Sequence, residues 1–220
     1  MTRRERWLLG SAVVGVAVYA ALWLGVATLW HPLIELDRWA LDATYRYGDD
    51  HPGWIRGWDV FCLVFGPALF RIVGLALIVM AFVRRQARLA FFLLASVELS
   101  GLVVEIAKHE ADRPRPATAL VAVGGTAFPS GHALGVIVGV LAFGFLLWPR
   151  VRHTLRPCLV VAGVLIVVAI GVGRVVLNVH HPSDVLAGWA LGYAYFAICL
   201  LLVPPLTVED EIPAVPDTAH

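Results

Sequence analysis

Apolar and polar positions alternate on a long scale along this chain. Six hydrophobic runs, at 7–30, 60–83, 89–107, 132–148, 158–179 and 184–203, are divided by polar segments bearing Arg, Asp, His and Pro. A helix needs about 17–25 mostly apolar residues to cross a bilayer, and the runs are of that order. The pattern predicts an all-α fold, an integral membrane bundle of six transmembrane helices forming one domain over 1–206. Segment 31–59 breaks the pattern. Its Leu33, Ile34, Leu36, Trp39, Leu41 and Tyr45 lie among charged residues at helical spacing, which predicts an interfacial amphipathic helix. The end of the chain, "TVEDEIPAVPDTAH", is acidic and carries Pro, and residues 207–220 are expected to form a disordered tail.

The first run follows a basic "MTRRER", as the core of a signal peptide would. It is longer than an h-region of about 7–15 residues, and no small-x-small cleavage site follows, so a retained helix is expected.

Composition strengthens the membrane reading. The chain is 60% hydrophobic with a mean hydropathy of +0.80, above the usual apolar share of soluble domains. Net charge is +1 and the basic residues form no stripe, which excludes nucleic acid as a partner. Cys62, Cys158 and Cys199 lie in apolar runs without metal-type spacing, so they are expected to be small buried side chains.

Arginines beside the runs set the orientation. Arg3, Arg4 and Arg6, then Arg84, Arg85 and Arg88, then Arg150, Arg152 and Arg156 all fall on one side. That side is expected to be cytoplasmic and to hold both termini. Segments 31–59, 108–131 and 180–183 then face outward. Two charges lie deep in the second and third runs, Arg71 and Glu98. An unpaired charge there costs at least about 2.5–3.5 kcal/mol, so the two are expected to pair inside the bundle. Glu105, one turn before Lys108, is read as neutralising the outer end of the third helix.

The outer segments carry the candidate chemistry. Lys108, the chain's one lysine, lies in "KHEADRPRP" with Arg115; "PSGH" spans 129–132; "GRVVLNVHHPSD" spans 173–184. Phosphoryl transfer spreads charge over three oxygens and needs fixed cations around them. Arg115 and Arg174 offer bidentate guanidinium groups, and Lys108 offers a compact ammonium. Ser130 and Gly131 at the start of a helix add a hydroxyl and backbone N–H groups. His180 and Asp184, at i and i+4, suit a nucleophile with an orienting carboxylate, and His132 suits a general acid.

The three segments read Lys108-x6-Arg115-Pro116, then Pro129-Ser130-Gly131-His132, then Arg174-x5-His180-x3-Asp184. In this the chain resembles the type 2 phosphatidic acid phosphatases, over roughly residues 60–200. The resemblance implies a membrane lipid-phosphate phosphatase working through a phosphohistidine, without metal or other cofactor. It implies that Lys108, Arg115, Arg174, Ser130 and Gly131 bind phosphate. It further implies that His180 attacks, oriented by Asp184, and that His132 protonates the leaving group. The partners it implies are a lipid phosphate and the surrounding membrane lipids, with undecaprenyl diphosphate the first substrate expected.

Two positions depart from the family pattern. Gly173 stands where a serine is usual, and His181 where an aromatic residue is frequent. His181 is i, i+3 from Asp184, so helical geometry alone leaves it open as the nucleophile, while the spacing from Arg174 favours His180. A phosphotransferase and a non-catalytic lipid-binding protein are the alternative functions, and the oligomeric state is open. Segment 117–128, "ATALVAVGGTAF", is read as bordering a lipid entrance, and Arg113 as a solvated neighbour of the site.

Overall fold

The computed structural model describes residues 1–205, and every regular element among them is helical. The first half runs α1 (Arg3–Ala27), α2 (His31–Asp49), α3 (Pro52–Val64) and α4 (Pro67–Val83). Next come α5 (Ala87–Leu93), a π-helical segment Leu94–Glu98 and α6 (Ser100–Ala111). The chain ends with α7 (Gly131–Leu147), α8 (Arg156–Val176) and α9 (Pro182–Leu202). The fold is all-α, as the run pattern implies. The acidic segment 207–220 lies outside the described residues.

Local chemistry starts these helices. Thr2 and Glu5 form a capping box at the head of α1, and Ser130 caps α7 by accepting from the Ala133 amide. Helices α2, α3, α4, α8 and α9 each carry Pro in the first turn, where no N–H is needed.

Five stretches are long and apolar enough to cross a membrane: Arg3–Ala27, Pro52–Val83, Ala87–Ala111, His153–Val176 and Pro182–Leu202. The fourth apolar run forms α7, which at 17 residues is shorter. It is also well enclosed, with only Leu147 exposed. A helix apolar on all sides belongs inside a bundle, and α7 buries Ala133, Leu134, Gly135, Val136, Val138, Gly139 and Ala142. Phe92, Leu93 and Phe196 meet Leu134 and Val138 on one side of it. Phe70, Ile170 and Leu177 meet Val136 on the other. Small residues bring the backbones close. A Cβ placed on Gly188 of α9 would lie 2.6 Å from the Ser130 carbonyl oxygen. Leu63, Val79, Leu102 and Leu165 face outward, as side chains facing lipid do.

Helix α2 forms in the segment expected to be interfacial, but its inner face is not purely apolar. Leu33, Asp37, Leu41 and Gly48 are buried, whereas Leu36 and Trp39 point away from the bundle. Thr44 ties α2 to the end of α8: its hydroxyl reaches the Val175 carbonyl and accepts from Asn178 Nδ2 at 2.7 Å.

Two expectations are corrected by the structure. Arg71 and Glu98 share the cleft between α4 and the π-helical segment, with Glu98 against Gly74 and Arg71 against Gly101. No ion pair closes between them among the described residues, and Arg71 Nε and Glu98 Oε1 lack hydrogen-bond partners. The π turn explains the difference. Its Leu99 amide bonds the Leu94 carbonyl, i to i+5, which rotates the flanking helical faces relative to those of an unbroken α-helix. Among the cysteines, Cys62 and Cys199 are buried but Cys158 is exposed.

The close approach of α9 to the head of α7 is testable. Gly188→Ala is expected to destabilise the protein by about 1–3 kcal/mol through overpacking, read as a lower Tm in detergent. Gly144→Ala, which meets nothing within 4 Å, should leave Tm unchanged or raise it.

Candidate active site

The ends of four helices converge at one end of the bundle: the C-termini of α6 and α8 and the N-termini of α7 and α9. They carry Lys108, Arg174, His132 and Asp184 respectively, while Arg115 and His180 come from the connecting segments. All eight residues that the motifs singled out belong to this cluster or to its first turns.

Asp184 is its anchor. The carboxylate is fully buried and lies in the first turn of α9, where negative charge complements the helix dipole. Its Oδ1 accepts from Arg113 Nη1 at 2.6 Å. Its Oδ2 accepts from the His181 amide at 2.8 Å, and faces His181 Nδ1 at 3.1 Å and His180 Nδ1 at 3.6 Å. The Asp184 carbonyl accepts from the Ser130 amide at 2.9 Å, which ties the PSGH turn to the same helix start. Ser130 itself is buried.

His180 is 1% exposed and is turned between two partners. Nδ1 faces Asp184 at 3.6 Å with no hydrogen bond among the described residues, and Nε2 lies 3.2 Å from Arg115 Nη1. Burial holds His180 below its ordinary value, to about 4, with Arg174 and Arg115 acting the same way and Asp184 opposing them. At neutral pH the ring is therefore uncharged and Nε2 can carry a free lone pair. His181 is placed differently. Its ring leans on Asp184 and lines a cavity of about 280 Å³ shared with Asp37, Arg38, Arg113 and Thr118.

The cations are held from behind. Arg115 Nε donates to the Gly124 and Gly125 carbonyls at 3.1 Å, and Nη1 donates to the Val179 carbonyl at 2.8 Å. Segment 117–128 thus folds back over Arg115, with Gly125 at φ +73° making the turn. Burial pushes the Arg115 guanidinium below its ordinary value, with Asp184 opposing that shift. Arg174 is 4% exposed and its Nε has no hydrogen-bond partner among the described residues. Lys108 is half-buried, and the charges of Arg115, Arg174 and Asp184 all bear on it. His132 packs against Gly66, where a Cβ would come within 3.3 Å of its ring.

Such a set of cations, with one neutral histidine aimed among them, suits an oxyanion of high charge. A family model for the PAP2 superfamily matches residues 89–207, more than half of the chain. The chain belongs to the PAP2 superfamily. A lipid A 1-phosphatase of Rhizobium etli is 32% identical over 123 residues, covering 51% of this chain and 49% of that protein. Phosphatidylglycerophosphatase B of Bacillus subtilis is 36% identical over 100 residues, covering 43% of this chain and 48% of its own. The chain spans about half the length of the curated relatives it matches. A crystal structure titled as a transmembrane PAP2 type phosphatidylglycerolphosphate phosphatase from Bacillus subtilis superposes with a TM-score of 0.67 at 23% identity. The match covers 84% of this chain and 93% of that one, which shows a shared fold. The apolar helices and this transmembrane neighbour make the PAP2 chain an integral membrane protein.

Sequence reasoning missed three residues around the PAP2 site. Arg113 is not a solvated neighbour: it is only 10% exposed and bridges Asp184 and Asp37. Asp37 of α2 is buried at the far end of that bridge. Asn178 is fully buried with φ +53°, accepts from the Thr118 hydroxyl and donates to Thr44, so it fixes the turn that presents His180. An Asn just past a helix end is the signal that could have found it. For Asp37, the signal was an acidic residue flanked by Leu33 and Leu41 on one helical face.

The absence of serine at 173 has a steric cause in this chain. A Cβ on Gly173 would lie 2.6 Å from Cys62 Sγ and 2.8 Å from Trp58 Cε3. Helix α3 thus fills the space that a side chain there would need. Gly173→Ser is expected to shift Arg174 and lower kcat/KM by about tenfold or more, since small misplacements near the chemistry are costly. Adding Cys62→Ala should recover part of the loss. Kinetics of the two variants check this, and a fully active Gly173→Ser would contradict it.

Proposed function

We propose that this protein is a membrane phosphatase that removes the terminal phosphate of a lipid mono- or diphosphate. One observation carries the reading: the uncharged His180 turns Nε2 toward Arg115 while its Nδ1 faces the buried Asp184. Lys108, Arg115 and Arg174 bind the phosphate oxygens, with Ser130 and the backbone around Gly131 at the head of α7. His180 Nε2 attacks phosphorus as the bond to the leaving oxygen breaks. His132 gives that oxygen a proton, then takes one from the water that attacks the phosphohistidine, as the bond from phosphorus to Nε2 breaks and free phosphate leaves. Asp184 keeps the tautomer that leaves the lone pair on Nε2, and stabilises the imidazolium.

The arginine pattern supports six crossings with both termini in the cytoplasm and the site at the outer face of the cytoplasmic membrane. The end of the bundle carrying Arg84, Arg85, Arg150 and Arg152 is the one opposite the site. The names of the relatives support a lipid phosphate as substrate. The cation-lined site suits direct electrostatic binding of the phosphate, without metal.

Three lipids discriminate among substrates: undecaprenyl diphosphate, phosphatidylglycerol phosphate and phosphatidic acid, each assayed for released phosphate with a chelator present. Wild-type protein is expected to release phosphate from at least one and to form an alkali-stable phosphoprotein. His180→Ala should lose at least about 10²-fold in rate and all of the phosphoprotein label, whereas His181→Ala should keep both. Transfer of label to an added alcohol in place of water would indicate a phosphotransferase. No release from any of the three would favour a binding protein, and abolition by chelator would overturn the metal-free route. The acid limb of kcat/KM should lie near pH 4, where free His180 gains its proton and loses nucleophilicity; a limb near pH 6.5 would assign another group.

A further inference from the structure

Asp37 is the one charged residue of α2 that the fold takes wholly out of solvent, at 1% exposure. Every group it touches leads to the start of α9. Its Oδ1 accepts from the Ser183 amide at 2.9 Å, and its Oδ2 accepts from Arg113 Nη2 at 2.8 Å and from the Ser183 hydroxyl. Arg113 then places Nη1 on Asp184 Oδ1 and on the Ser183 hydroxyl oxygen. A planar guanidinium that bridges two carboxylates fixes the orientation of both. With Oδ1 of Asp184 taken, Oδ2 is the oxygen left to face His180 and His181.

Charge is carried along the same chain of contacts. Two carboxylates and one guanidinium sum to one net negative charge, which lies next to the ring that must become an imidazolium. Without the charge of Asp37 the bridge is neutral. The other charged groups around His180 are cationic or can become so: Arg115 on the loop, Arg174 at the end of α8, His132 at the head of α7 and Lys108 at the end of α6. His181 at the start of α9 joins them when protonated.

We propose that Asp37 of the interfacial helix is a positioning residue for the reaction, acting through Arg113. It holds Asp184 with one oxygen turned to His180, and it supplies the net negative charge that receives the imidazolium. Seating of α2 on the bundle is thereby a condition for an assembled site. The inference rests on His180 being the nucleophile.

Asp37→Asn is the informative variant, because its amide oxygen still accepts from the Ser183 amide while the charge is gone. Thr44 and Asn178 keep α2 seated independently of it. With the best of the three lipid phosphates in detergent micelles, Asp37→Asn is expected to lower kcat about 10–100-fold, the scale for a support one step removed from the reacting group. KM should stay within about twofold, because Asp37 touches no phosphate-binding side chain. The acid limb of kcat/KM should move to lower pH in Asp37→Asn, where the imidazolium loses support. It should move to higher pH in Arg113→Gln, where Asp184 is freed of its cation. The double variant should be no slower than the worse single one, since both cut one chain of contacts.

A purely structural role would lower Tm and the folded yield and leave the limb in place, and that outcome overturns the proposal. So does multiplicative loss in the double variant. If Asp37→Asn does not fold, the upward shift in Arg113→Gln decides alone. The two levels separate cleanly: turnover surviving in His180→Ala sinks the nucleophile reading. An inactive His180→Ala beside an Asp37→Asn with wild-type kinetics sinks only the role of Asp37.

Discussion

A carboxylate with no access to solvent must be met by donors on every side, and Asp184 is the group on which this structure turns. Desolvating a carboxylate costs several kcal/mol unless hydrogen bonds and opposite charge replace the water. Arg113, the His181 amide and the His181 ring supply that replacement, with the His180 ring 3.6 Å away. Satisfying this one group fixes the loop after α6, the turn before α9 and, through the Asp184 carbonyl, the head of α7. The carboxylate that accepts from the His181 amide at the start of α9 and the one that faces His180 are the same group.

Around that anchor the fold gathers positive charge where it is hardest to keep. Three cations lie close enough to act on one another, and Arg174 is buried with its Nε unbonded among the described residues. Mutual repulsion and desolvation both work against such a cluster. Backbone carbonyls hold Arg115 in place from behind, and the packing of α3 on α8 encloses Arg174. Under the proposed function, an incoming oxyanion would relieve that repulsion. Electrostatic preorganisation of this kind avoids reorganisation during the reaction.

The surrounding architecture rests on close helix packing. Because α9 turns Gly188 and Gly192 toward α7, the two helices approach within contact of the α7 backbone, which brings Ser130 to Asp184. Helix α3 fills the space beside Gly173, so a position that carries serine in the family pattern is glycine in this chain. Helix α2 does more than pack on the bundle. Its buried Asp37 links it to the start of α9.

Much of this was legible in the residues themselves. Hydrophobic run lengths determined the helical class, because a backbone in hydrocarbon must satisfy its own hydrogen bonds. Motif spacing placed Lys108, Arg115, His132, Arg174, His180 and Asp184 near one helix-end cluster, because each lies within a turn or a short loop of a run's boundary. Tertiary structure alone decided which histidine turns to Arg115, why Gly173 has no side chain, and where Arg113 goes. It also decided the depth-matched Arg71 and Glu98, whose register a π turn altered. The reason is common to all four. Local sequence sets periodicity and helix ends, but the direction of a side chain within a bundle depends on what packs against it from segments far along the chain, as Asp37 lies against Ser183.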